Sequence, residues 1–198
     1  MTALTTNDAL TESQQVAAML ERHAAVLPPG APQVKQLLLA CQLFERCQQQ
    51  SDAAVTAWRT ALAHRWACEI AGRRIYKHVQ RQYLEWYGPE SLELQRVTSY
   101  DGNFSPADLL ADLRRIQADL ALLASCNNLA HNHGDVTAAA EQLEATIHTA
   151  AVCEATRRGA VLERRIAQDA FRRARAAAQR GLAEHAGALP SELRAMLT

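Results

Sequence analysis

The run His131-Asn132-His133-Gly134-Asp135 holds the most chemically suggestive spacing in the chain. Neutral imidazoles and a carboxylate bind zinc or iron, so an extended H-x-H-x-D segment could supply three ligands, with His148 as a possible fourth. The same five residues also read as a polar turn. Asn132 and Gly134 suit turn geometry, and Asp135 suits the cap of a following helix. Asp135 cannot easily do both jobs. Di-metal sites in helical bundles pair Glu with Glu-x-x-His on facing helices, and no Glu-x-x-His occurs here. The turn reading is preferred and no cofactor is expected. His131 and His133 are the metal-binding alternative.

Arg65 and Glu69 form a second constellation. They are four residues apart, so they meet on one face of a helix. Apolar residues before and after them follow a 3-4 spacing that runs straight through the pair: Val55, Trp58, Leu62, then Gly72, Tyr76, Val79, Tyr83 and Trp86. Either the pair is a polar site in the core, near Trp66 and Tyr76, or the seam drifts through Trp66 and Ile70 and leaves the charges in water. A buried ion pair gains little over apolar packing. The drift is therefore expected, with Trp58, Leu62, Trp66 and Tyr76 buried and the tip of Arg65 in solvent.

A third group is cationic. Arg157, Arg158, Arg164, Arg165, Arg172, Arg173, Arg175 and Arg180 crowd one stretch, opposed there only by Glu163 and Asp169. Arg158, Arg165 and Arg172 recur every seven residues and share a stripe. With Arg173 they could bind phosphates or nucleic acid. Residues 100–154 are the reverse, with eight acidic groups against Arg114 and Arg115. Charge pairing with an acidic helix face, in the same or another subunit, is the competing explanation. A formal net charge of zero favours that pairing. So does the lack of aromatic residues among the arginines. No G-x-S-x-G, P-loop, GxGxxG or Cys-His signature is present. The chain is expected not to be an enzyme.

The elements that carry these groups are helical. Ala, Leu, Arg, Gln and Glu dominate, while only 5% of the 198 residues are aromatic; that mix favours helix. Spacing and caps predict helix over Glu12–Val26, with a Thr11/Gln14 capping box, and over Pro32–Gln50. Ser51 and Asp52 resemble a cap, so a third helix from Asp52 to Trp86 is expected to fold back on the second. "LPPGAP" and "YGPES" are breaks, "SLELQ" suits one helical turn, and "SYDGNF" reads as a turn. "SPAD" opens a fourth helix with Ser105 as cap, Pro106 first and Asp108 third. Its seam is Leu109, Leu113, Ile116, Leu120 and Leu123. A fifth helix from Val136 to about Ala183 begins with the seam Val136, Ala140, Leu143, Ile147 and Ala150. "SELRAML" could add a short final helix.

The joint "HAAVLPPGAP", the Gln-rich turn after the second helix and the end Trp86-Tyr87-Gly88-Pro89-Glu90-Ser91 together resemble a group of bacterial helical-bundle proteins of unknown function. The resemblance covers about residues 12–95. It implies a helical fold and carries no activity or cofactor.

The expected architecture is all-α: an elongated antiparallel bundle of about five helices with a very long C-terminal helix. Residues 1–95 would form a three-helix unit and 96–198 a long hairpin packed with it. The fourth helix spans roughly 29 Å and the fifth roughly 72 Å at 1.5 Å per residue, so much of the fifth is left uncovered. Its later apolar stripe, Ala155, Gly159, Leu162, Ile166, Ala170, Ala174 and Ala177, steps at about 3.75 residues and relaxes a left-handed supercoil. Large apolar stripes on soluble proteins mark interfaces. The pattern therefore predicts a non-enzymatic scaffold or protein-interaction module that self-associates, most simply as a two-fold dimer. Five cysteines without a CxxC pair, and the absence of a signal-peptide pattern or a membrane-length apolar run, predict a cytoplasmic protein without a membrane partner.

Overall fold

The computed structural model describes residues 6–23, 32–97, 105–123 and 131–183. Among them there are five helices and no strand: α1 Thr6–Arg22, α2 Pro32–Tyr87, α3 Leu92–Val97, α4 Pro106–Leu123 and α5 Asn132–Ala183. The all-α class and the long last helix are as expected. The turn expected in "SYDGNF", the short helix at "SELRAML" and Cys126 lie outside the described residues.

Two boundaries differ from expectation. α1 begins at Thr6, which puts Thr11 inside the helix and not at its cap. The second and third expected helices are one continuous helix of 56 residues. Ser51 and Asp52 do not break it, because Ser51 is buried on its inner face and Gln48 Nε2 donates to both carboxylate oxygens of Asp52, each at 3.0 Å. Nothing there obliges a turn: no proline occurs between Pro32 and Pro89.

The compact units are Met1–Val55 with Thr156–Thr198, and Thr56–Ala155. α2 and α5 each contribute to both.

In the first unit, α1 supplies Val16 and Leu20 to the core, and the start of α2 supplies Val34, Leu37, Cys41, Phe44 and Cys47. The 3-4 spacing of the α2 set puts most of it on one helix face. The end of α5 closes the core with Ala167, Phe171 and Ala178. Phe44 and Phe171 stack with centroids 6.1 Å apart and planes 15° from parallel. At Gly181 a Cβ would lie 3.4 Å from the Gln33 side chain. Residue numbers thus rise along α2 as they fall along α5, so the two helices run antiparallel here. Glu12 of α1 forms an ion pair with Arg175 of α5.

In the second unit, α4 packs on α2 at Gly72, where a Cβ would meet Leu113 Cδ1 at 3.3 Å and Leu109 Cδ2 at 3.5 Å. The missing side chain is what admits α4 so closely. Tyr76, Val79 and Tyr83 continue the α2 face, and Leu109, Leu113, Ile116 and Leu120 are buried on α4. Val136, Ala140, Leu143 and Ala150 are buried on α5. Both predicted seams hold at these positions, Ile147 is half-buried, and the Leu123 side chain lies outside the described residues. Arg114–Glu144 and Gln117–Thr137 contacts tie α4 to α5 in antiparallel register.

The ends are capped as the local chemistry dictates. Ser105 Oγ accepts from Asp108 N–H at 3.2 Å, and Asp108 Oδ2 accepts from Ser105 N–H at 3.1 Å. Gly88, at φ +81°, ends α2 and donates its N–H to Leu84 O at 3.0 Å. Ser91 Oγ then accepts from Leu94 N–H at 3.1 Å and starts α3. Tyr76 Oη donates to Val97 O at 2.9 Å and holds the far end of α3.

Candidate functional site

The histidine run does not form a loop. α5 starts at Asn132, so Asp135 lies in the first helical turn and is not the cap. Asn132 is buried and its side-chain amide donates to Gln82 of α2, while His131 is exposed and His133 half-buried. Among the described residues no group of three or more His, Cys, Asp or Glu side chains is gathered to hold a metal ion.

The Arg65–Glu69 pair reverses the expected drift of the seam. Glu69 is buried, and Trp66 is 66% exposed. Trp58 and Leu62 are half-buried, and only Tyr76 of the four residues expected inside is fully so. Arg65 Nε donates to Glu69 Oε1 at 2.9 Å, and Arg73 lies on the other side with Nη2 3.9 Å from Oε2. The Glu69 carboxylate is thus flanked by two guanidinium groups of its own helix. Its packing follows from Gly72: that residue must face α4, and Glu69 and Tyr76 share its face at 3-4 spacing.

The C-terminal stripe is largely uncovered. Ala155, Gly159, Leu162 and Ile166 are exposed, and Ala170, Ala174 and Ala177 are half-buried. The side chains that α5 does bury in the first unit are Ala167, Phe171 and Ala178, a 4-7 set that sequence reasoning missed. The signal was present in Phe171, the one large aromatic of that stretch, which selects the inward face among several alanine-rich ones. From Thr156 to Ile166 no α5 side chain is buried.

Next to this uncovered stretch lies a groove of about 330 Å³ lined by Leu43, Arg46, Cys47 and Gln50 of α2 and Glu163, Ile166 and Ala167 of α5. Cys47 and Ala167 are buried, whereas Leu43 is 49% and Ile166 58% exposed. Leu39 at 65% and Leu162 at 58% extend the apolar surface along the two helices. The cationic residues stand elsewhere on α5. Arg158, Arg165, Arg172 and Arg173 are all exposed, and Arg172 Nη1 lies 3.7 Å from Asp169 Oδ1.

The described cysteines Cys41, Cys47, Cys68 and Cys153 are free thiols. Cys41 and Cys47 are buried and Cys68 and Cys153 half-buried. Burial, with a smaller contribution from Glu45, pushes the Cys41 thiol up to about 11. It is therefore a packing group and a poor nucleophile near neutral pH.

Fold and surface together define an all-helical protein in which no described helix is long and apolar enough to cross a membrane. Comparison with known proteins finds no matching family model, no matching curated protein and no matching solved structure.

Proposed function

We propose that the chain is a non-enzymatic helical interaction module that self-associates through the exposed apolar face of α5. The observation that carries this reading is the row Ala155, Gly159, Leu162 and Ile166, which α5 leaves in water. Leu39 and Leu43 of α2 add to the apolar surface of the unit that holds Gly159, Leu162 and Ile166. Fully burying a large aliphatic side chain is worth about 1.5–3 kcal/mol, and those left about half to two-thirds exposed here have a corresponding fraction of it to gain on association. The test is sedimentation of the purified protein over a concentration series. A concentration-dependent dimer that Ile166→Glu dissociates supports the reading, and a wild-type chain that stays monomeric at several hundred micromolar overturns it.

A second reading, binding of a nucleic acid or another polyanion, is favoured by the exposure of Arg158, Arg165, Arg172 and Arg173. The unit that carries them has twelve basic and nine acidic residues, an excess of only three. DNA affinity that falls steeply with salt and is lost on replacing Arg158, Arg165 and Arg172 by Ala would favour this reading.

A further inference from the structure

Resting on the self-association reading, we infer that the α2/α5 groove of the first unit is the contact itself: two copies dock on it about a two-fold axis, so that Arg46 of each meets Glu163 of the other.

The groove has the parts of a self-complementary surface. Its floor is apolar at Cys47 and Ala167, and its walls are the exposed Leu43 and Ile166. The rim is charged with opposite signs on opposite helices, Arg46 on α2 and Glu163 on α5. Both are exposed, and neither forms an ion pair or a side-chain hydrogen bond with another described residue. A surface of one sign would repel its own copy, whereas one cation and one anion on opposing rims allow an isologous contact.

Geometry sets which residues meet. A two-fold axis along the groove lays α2 of each copy over α5 of the other, because the rotation exchanges the two sides of the groove. Leu43 then packs toward Ile166 of the second copy, and Arg46 toward its Glu163. Each charge gains a partner and each apolar wall a cover. Arg158, Arg165 and Arg172 stand roughly a quarter to a third of a helical turn from Ile166 at 100° per residue, so they stay outside this contact. Leu39, Leu43, Leu162 and Ile166, each about half to two-thirds exposed, supply the apolar part of the contact.

The experiment uses the full chain and two charge reversals, Arg46→Glu and Glu163→Arg, with sedimentation as the readout and far-UV circular dichroism to verify the helical fold. Both residues are exposed, so both variants should fold. Each alone should raise the dimer dissociation constant at least tenfold, because like charges then face each other. An equimolar mixture of the two should restore dimerisation. A mixed pair sets the introduced glutamate of one copy against the introduced arginine of the other, and the first copy's native Glu163 against the second copy's native Arg46. Rescue on mixing supports the inference. A wild-type dimer unaffected by either reversal, or one lost in both variants and not rescued by mixing, overturns it. In those two cases the self-association reading survives if Ile166→Glu still dissociates the protein. A wild-type monomer at several hundred micromolar overturns both.

Discussion

Arg65 Nε and Glu69 Oε1 lie 2.9 Å apart, one turn apart on α2, and of the two it is the carboxylate that is buried. The Arg65 side chain keeps about a third of its surface in solvent and Arg73, the second cation beside Glu69, rather more. The anion is thus packed into the helix face while its two cations bridge out to water.

That asymmetry predicts unequal costs. Glu69→Ala should destabilise the fold by about 1–3 kcal/mol, since a buried acceptor with a charge-assisted hydrogen bond from Arg65 and a longer ion contact to Arg73 is lost. Arg65→Ala should cost less than about 1 kcal/mol, because its partner keeps Arg73 and the contact is partly screened. Urea denaturation followed by circular dichroism measures both. Equal losses would contradict the packing described.

The stacked pair Phe44 and Phe171 joins α2 to α5 in the first unit. Phe171→Ala should cost about 3–5 kcal/mol, from lost burial and the cavity it leaves. A double-mutant cycle with Phe44→Ala should return a coupling of about 0.5–1.5 kcal/mol. Strictly additive losses would mean that the rings do not meet.

Two helix starts make a matched test. Ser105 closes a reciprocal cap with Asp108, so Ser105→Ala should cost about 0.5–2 kcal/mol. Asp135 only adds negative charge to the first turn of α5, and Asp135→Ala should cost about 0.3–1 kcal/mol. Raised salt should shrink the second loss and leave most of the first. A larger, salt-insensitive loss at Asp135 would restore it as a cap.

Alkaline pH should weaken the fold. Burial pushes the Tyr83 phenol up to about 12, with Asp119 and Tyr87 adding to the shift, and it pushes the Cys41 thiol up to about 11. Well below pH 9 both groups are protonated whether the chain is folded or not. Above it, the unfolded chain releases these protons near the ordinary values of 9.0 and 10.0 while the folded chain retains them. The folded state then binds more protons, and stability falls as pH rises from 9 to 12. Tyr83→Phe should flatten the part of that fall above pH 10, read from urea midpoints at pH 8, 10 and 11. An unchanged slope would remove Tyr83 as a cause.

Much of the architecture was written locally. The cap at Ser105, the α4 seam from Leu109 to Leu120, the Val136–Ala150 seam, the length of α5 and the stop at Gly88 each depend on a few neighbouring residues and a period. Such features carry their own free energy, from capping hydrogen bonds, a fixed φ or a continuous apolar face, so they were legible in the chain.

Tertiary structure decided the rest, wherever local preferences were nearly balanced. Ser and Asp inside a helix cost only about 0.7 kcal/mol or less each, so Ser51–Asp52 turns only if packing requires it, and packing keeps α2 continuous. At Glu69 the face is chosen by α4, which reaches the backbone at Gly72 and turns Glu69 inward and Trp66 out. In the last part of α5, alanine fits an inner face at any phase. Phe171 breaks that tie by stacking on Phe44, and the same rotation leaves Leu162 and Ile166 in water. Both choices depend on a residue far away in sequence, which no local period records.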